Sequence, residues 1–349
     1  MRRFLSLGIL ALIPVVAVAV LGAQYAQPTP PGQPAWAYAI PIPPATPATT
    51  PGGAPAPTPA PADPTIRSLP GTDRTFTRAQ ISDAFGPADW YPNDHPPMPD
   101  IVAKGRRPEI RACGLCHMPN GKGRPENASV SGLPVSYFIQ QMHDFRNDLR
   151  KSAEPRKGNT NIMIAIAKAM TEDEIKQAAE YFGAIKWNSR YIRVVEANTV
   201  PKTRVQGGVH LVLEGAQAGT EPIGQRIIES PEHTEHFEIL RDPRDGFVAY
   251  VPVGSIEKGE ALVTTGGNGR TTACGVCHGA DLQGLGPVPA IAGRSPSYIV
   301  RQMYDMQQGA RKGPWVDLMK PVVQKLTNED FVNIAAYTAS RPVNGNGAN

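Results

Sequence analysis

Apolar positions along the chain change texture several times, and each change predicts an element. After Met1-Arg2-Arg3 comes a run of about 20 uncharged, mostly apolar residues from Phe4 to Ala23. A positive start before such a run is an export signal, and the length matches the ~20 residues that span a bilayer as a helix. From Gln27 to Pro64 there is no periodicity, and Pro, Ala and Thr dominate. Proline removes backbone donors and fixes φ, so this stretch is expected to be an extended tether rather than helix or sheet core.

Helical spacing starts after that. "TRAQISDAFG" (77–86) reads as a short helix stopped by Gly86-Pro87. "TEDEIKQAAEYFGAIKW" (171–187) reads as a capped helix. Thr171 with Glu174 forms a capping box, and Ile175, Ala178, Ala179 and Phe182 form one apolar stripe. Between 188 and 258 the texture becomes β-branched and aromatic, as in "YIRVV" and "GFVAYVPVG", and predicts short strands.

The helical texture occurs twice. "GLPVSYFIQQMHDFRNDLRK" (132–151) matches "GRSPSYIVRQMYDMQQGARK" (293–312), and "MIAIAKAMTEDEIKQAAEY" (163–181) matches "MKPVVQKLTNEDFVNIAAY" (319–337). Ser136, Tyr137, Gln141, Met142 and Asp144 fall on Ser297, Tyr298, Gln302, Met303 and Asp305. A tandem duplication of a unit of about 90 residues explains this.

Composition adds bounds. The 349 residues suffice for two domains with length to spare. The net charge of +4, with no long basic run, gives no argument for nucleic acid. All four cysteines lie in two copies of one pentapeptide, Cys113-Gly-Leu-Cys116-His117 and Cys274-Gly-Val-Cys277-His278. Cys-x-x-Cys serves zinc binding, redox disulfides and covalent haem attachment. Zinc would have to draw four ligands from separate repeats and leaves the adjacent His unexplained. A redox disulfide belongs at a strand-to-helix turn of a βαβ unit, and no such pattern is present. Haem attachment uses everything: two thiols add to vinyl groups, and the next His binds iron. Two haem c groups are therefore expected, attached at Cys113, Cys116, Cys274 and Cys277, with His117 and His278 on iron.

The second axial ligand is less determined. Met118 follows His117 directly and is held on the same side of the iron, Met170 aligns with Leu326, and Met306 aligns with Phe145. Two pairs persist through the duplication, Met142/Met303 and Met163/Met319. The first reads as mid-helix core. The second reads as loop, with Gly158 or Pro314 upstream, eight residues before the N-cap of the closing helix. His143 faces Tyr304 in the other repeat, and His95 sits in a Pro-rich loop, so neither is a strong competitor. His233 and His236, among acidic residues, read as a solvated loop before they read as a metal site.

On CGLCH, CGVCH, "GRSPSYIVRQMYDM" and "LMKPVVQKLTNEDFVNIAAYTAS", the chain resembles dihaem c-type cytochromes with two class I-like domains. The resemblance covers about 95–187 and 256–341. It implies a mainly α fold of two tandem cytochrome c domains, joined by an extended, β-containing segment. It places the axial methionine just before the last helix, hence at Met163 and Met319. The expected organisation is a signal anchor or cleaved signal at 1–26, a Pro/Ala/Thr-rich linker at 27–70 and a first domain at 71–187. An inter-domain segment at 188–255, a second domain at 256–342 and a tail at 343–349 follow. The expected function is one-electron transfer between a redox-protein donor and acceptor. The expected place is the periplasmic side of the inner membrane, anchored, or free in the periplasm if the signal is cleaved. A haem enzyme or a haem subunit of a membrane dehydrogenase is the alternative.

Overall fold

The computed structural model describes residues 32–40, 63–187 and 191–343. The expected anchor or signal at 1–26 lies outside them, as does all but the first residue of the expected tail. Among the described residues no helix is long and apolar enough to cross a membrane.

The duplicated units fold as matching sets of helices. In the first, α3 (Asp100–Ala103) precedes α4 (Cys113–His117), then α5 (Val135–Arg146), α6 (Gly158–Ala169) and α7 (Glu172–Ala184). In the second, α8 (Ser255–Thr265) precedes α9 (Gly275–His278), α10 (Pro296–Gln307), α11 (Pro314–Val323) and α12 (Asn328–Ser340). Both closing helices start at the same device. The Thr171 hydroxyl accepts from the Glu174 amide while the Glu174 carboxylate accepts from the Thr171 amide, and Thr327 and Asp330 repeat this. Each arrangement satisfies two amides that a helix start otherwise leaves unpaired.

Behind α7 the predicted stripe is buried, with Ile175 and Phe182 both 0 % exposed. They join Val102, Ile110, Met142 and Phe145 in the core of the first repeat. The second repeat has its own core around Val300, Met303, Phe331 and Ala335. There α8 crosses α12 so closely that a Cβ on Gly259 would stand 2.0 Å from the Asn333 carbonyl oxygen. Only glycine fits that crossing.

The segment between the repeats forms strands, as its texture predicts. β3 (Ile192–Glu196) runs parallel to β9 (Phe247–Val251), and β8 (Ile228–Pro231) pairs antiparallel on the other edge of β9. β4 (Thr199–Pro201) pairs with β7 (Thr220–Pro222). β5 (Thr203–Gln206) and β6 (Val209–Val212) form a hairpin whose turn, Gly207-Gly208, has φ of +59° and +85°. Two consecutive positive φ values suit the twist of a hairpin and favour glycine. Ile192, Leu211, Ile227, Phe247 and Val251 bury into one core with the second repeat, so the insert is continuous with that domain.

Two expectations about the N-terminal side need correction. The boundary at 71 cuts a hairpin, because β1 (Ile66–Ser68) pairs with β2 (Thr75–Thr77). This hairpin leads through Thr77, another capping box, into α2 (Arg78–Ile81). Leu69, Ile81, Trp90 and Tyr91 then pack on Leu240 of the insert, and the Trp90 indole donates to the Leu240 carbonyl at 2.8 Å. The linker also contains structure. Ala35–Tyr38 form a helical turn, α1, with Ala37 and Tyr38 buried. Tyr38 Oη donates to Asp305 at 2.7 Å, Lys157 Nζ to the Tyr38 carbonyl at 3.2 Å, and His210 Nε2 to the Trp36 carbonyl at 3.0 Å. "PAWAYAI" is the one aromatic island in the Pro-rich run. Burying its rings and pairing its carbonyls outweighs the extended bias of the prolines around it.

Candidate functional site

α4 and α9 are short turns that present both cysteines and the following histidine of each motif. None of the four cysteines is in a disulfide. The His117 ring nitrogen Nδ1 lies 2.8 Å from the carbonyl oxygen of Ala128, 11 residues on, and His278 Nδ1 lies 2.7 Å from that of Pro289, also 11 on. A carbonyl only accepts, so Nδ1 carries the proton and Nε2 is left as a lone-pair donor. Burial pushes both imidazoles below their usual range, keeping them neutral. That is the state in which a histidine binds a metal.

Both histidines line one continuous cavity of about 310 Å³ that runs between the repeats. A smaller extension lies behind Cys113, Cys116 and His117. Met142, Met163, Met303 and Met319 all border the larger space. Met163 and Met319 do not lie in loops as expected: they sit inside α6 and α11. The signals taken for a loop were helix starts. Gly158 is the first residue of α6, and Pro314, the first of α11, suits a position where its missing N–H is no loss.

Among the competing side chains, Met118, His143 and His95 are engaged away from this space, whereas Met170 borders the smaller extension and Met306 the larger cavity. Met118 has φ +62° and closes a separate small cavity with Tyr191 and Phe237. His143 Nε2 is 2.9 Å from Glu172 on the surface. Both ring nitrogens of His95 are taken, by Pro96 O and Asp89. Met170 and Leu326 are buried core, as their alignment suggested, and Met306 is buried beside the cavity.

The cavity also carries charge. Arg150, Lys157, Arg294, Arg301 and Arg311 border it, against the carboxylates of Glu126 and Asp305. Burial pushes Lys157 down to about 7 and Arg294 down to about 10. The Nε atoms of Arg294 and Arg311 are buried without a partner. A buried cation with an unpaired donor is costly unless an anion joins it. Haem carries two propionate carboxylates, so the donor set, the apolar walls and the cationic rim all fit the group. Sequence reading did not single out these cations. Arg150 and Arg311 are equivalent in the repeat alignment, and that equivalence was the available signal.

Two thiol-thiol-histidine turns whose histidines line one cavity define a dihaem c-type cytochrome. No family model matches the chain. It is 40 % identical over 76 residues to cytochrome c-554(548) of Halomonas halodenitrificans, covering 22 % of this chain and 92 % of that protein. It is 24 % identical over 239 residues to the thiosulfate dehydrogenase electron acceptor of Thiomonas intermedia, covering 68 % and 81 %. A solved cytochrome c4 from Acidithiobacillus ferrooxidans superposes with a TM-score of 0.42 at 22 % identity, covering 65 % of this chain and 97 % of that one. The chain belongs to the class I c-type cytochromes, as a dihaem member with two covalently bound haem c groups, and it transfers electrons.

Proposed function

We propose that this chain is an exported electron carrier, not an enzyme, working in the periplasm. Cys113 and Cys116 would hold one haem and Cys274 and Cys277 the other, with His117 and Met163, and His278 and Met319, as the residues that would ligate the irons. When bound, the two haems supply one-electron redox chemistry. The chain's part is to hold them, orient the ligands and exclude water. The Ala128 and Pro289 carbonyls fix the histidine tautomers. The observation that carries the reading is the twofold occurrence of one complete set: a neutral histidine, two thiols and a methionine at the edge of the core. Met142 and Met303 are 5 % and 7 % exposed and belong to the two cores, whereas Met163 and Met319 lie at their edges. A methionine ligating each iron would leave no position for oxygen or peroxide.

The two motif faces differ in a way that bears on the partner. Leu115 is half-buried and held by the insert, whose Arg241 guanidinium bonds to the Leu115 carbonyl, while Asn120 Nδ2 donates to the Pro243 carbonyl at 2.9 Å. The equivalent Val276 is 69 % exposed, with Leu285 and Leu318 exposed as well. Redox partners are thus met at the second motif. The Thiomonas relative is described as the electron acceptor of a thiosulfate dehydrogenase, which makes a dehydrogenase acting on a sulfur compound the donor class to try first. The test is spectroscopy of the purified protein and of Met163→Ala and Met319→Ala. Each variant is expected to turn one haem high-spin and lower its potential. An unchanged spectrum and potential overturn the ligand assignment. Peroxide turnover by the wild type overturns the carrier reading.

A further inference from the structure

The insert carries a polar cluster that the haem chemistry does not use. His233 and His236 lie i, i+3 apart around a helical turn that continues as a π-helix over His236–Leu240, and their rings are 5.1 Å apart. The loop that follows returns two carboxylates to them. Asp245 Oδ1 is 2.7 Å from His233 Nδ1, and Asp242 Oδ2 is 3.0 Å from His236 Nδ1. Both carboxylates are fixed in turn: the Arg244 amide donates to Asp242 at 2.8 Å, and the His233 amide to Asp245 at 3.4 Å. The two aspartate side chains are 7 % exposed, while the His233 side chain is 65 % exposed and open to solvent.

We propose that His233, His236 and Asp245 bind a divalent transition-metal ion of the Zn²⁺ type, with Asp242 orienting His236. Ligand atoms of the three residues already lie within 4.8 Å of one another. Around a tetrahedral ion they would stand about 3.5 Å apart, following from metal–ligand distances near 2.0–2.2 Å. The exposed His233 side chain can turn to make up the difference. Two imidazoles and one carboxylate, with water as the fourth ligand, suit Zn²⁺ or Cu²⁺ and not Ca²⁺ or Mg²⁺, which prefer oxygen alone. A carboxylate on Nδ1 leaves Nε2 of His236 free for the ion and fixes its ring, as ligand histidines usually require.

The position gives the ion a use. The same loop contains Arg241 and Pro243, which hold the insert to Leu115 and Asn120 beside the first haem motif. An ion at its base therefore pins the clamp over that motif.

The test uses the haem-loaded protein, stripped with a chelator, and ZnCl₂ as the probe, by calorimetry and indicator competition. One equivalent is expected to bind with a Kd of micromolar or below. His233→Ala and His236→Ala should each weaken it at least 100-fold. Asp242→Asn should weaken it about 10-fold, in the range of outer-shell partners. Zn²⁺ should slow amide exchange over 241–245 and 115–121 in the wild type alone. Unchanged haem absorption and metal-free melting temperature show that the variants are folded. No stoichiometric binding by wild type, or equal binding by the two alanine variants, overturns the proposal: the cluster is then a pair of His–Asp ion pairs.

Discussion

Arg150 and Arg311 cross at the junction of the two repeats, paired through their backbones as an antiparallel bridge. Each guanidinium reaches into the other's repeat. Arg150 donates to Gln141 at 2.9 Å and, across the junction, to Tyr298 and Gln302 at 3.1 Å. Arg311 donates to Gln302 at 2.9 Å and, across the junction, to Tyr137 at 2.9 Å and Gln141 at 2.7 Å. The duplication thus generates a local pseudo-twofold in which each repeat completes the other's wall of the haem cavity.

Because the Gln141 oxygen serves both arginines, their contributions are not independent. Arg150→Lys and Arg311→Lys should each destabilise the holoprotein by about 1.5–3 kcal/mol, the scale of hydrogen bonds to a charged group. The double variant should depart from the sum by at least ~0.5 kcal/mol, as residues in one network do. Thermal or urea unfolding of the four proteins measures this. Additive losses would show that the bridge is two separate contacts.

The two methionine pairs should separate cleanly. Met142→Ala and Met303→Ala remove buried core and should cost about 2–5 kcal/mol with ligation intact. Met163→Ala and Met319→Ala should do the reverse, altering spectrum and potential with a smaller loss of stability. Potentiometry and unfolding of the same four variants decide it.

Glu229 gives a pH effect of known sign. It is 2 % exposed, accepts from Ser295 Oγ at 2.8 Å and Ser297 Oγ at 2.5 Å through Oε2, and leaves Oε1 buried without a partner. Burial raises its carboxyl above the usual range, against the opposing serine hydrogen bonds. The folded chain therefore keeps a proton that the unfolded chain releases. That contribution is full below the unfolded value and is lost as pH rises through the folded one. Glu229→Gln should flatten this fall and be more stable at pH 8 by about 1–3 kcal/mol, the cost of an unsatisfied buried polar group. Urea midpoints from pH 4 to 8 test it; an unchanged slope would remove Glu229 as the cause.

Gly259 is held by proximity, not by φ. An added methyl would meet the Asn333 carbonyl at 2.0 Å, so Gly259→Ala must force α8 off α12. A loss of about 3 kcal/mol or more is expected, beyond the usual gain in helix propensity of roughly 1 kcal/mol. A melting temperature at or above wild type would mean the crossing yields without cost.

The exposed second motif predicts an asymmetric partner surface. Val276→Asp should slow electron uptake from the donor proposed above at least tenfold, through a weaker encounter, and leave both potentials unchanged. Leu115→Asp, at the half-buried position that Arg241 of the insert holds, should act on stability instead. Stopped-flow reduction by the donor separates the two, and equal slowing by both would contradict the asymmetry.

What the sequence determined was whatever is encoded locally and twice. The motif cysteines and histidines, the Thr171 and Thr327 caps and the stripe ending at Phe182 depend on spacing along one segment, and spacing is written in the chain. Duplication supplied a second copy against which Met170, Met306 and His143 could be weighed. Tertiary structure alone decided what depends on segments meeting. It turned Gly158 and Pro314 from apparent loop markers into helix starts, because the apolar faces of α6 and α11 had a core to cover. It folded Ala35–Tyr38 out of a proline-rich run, because Asp305, Lys157 and His210 from three different regions waited for its polar groups. It gave two equivalent motifs unequal exposure, because one insert covers only one of them. No periodicity within a segment carries such information; it lies in which surfaces remain uncovered once every segment has folded.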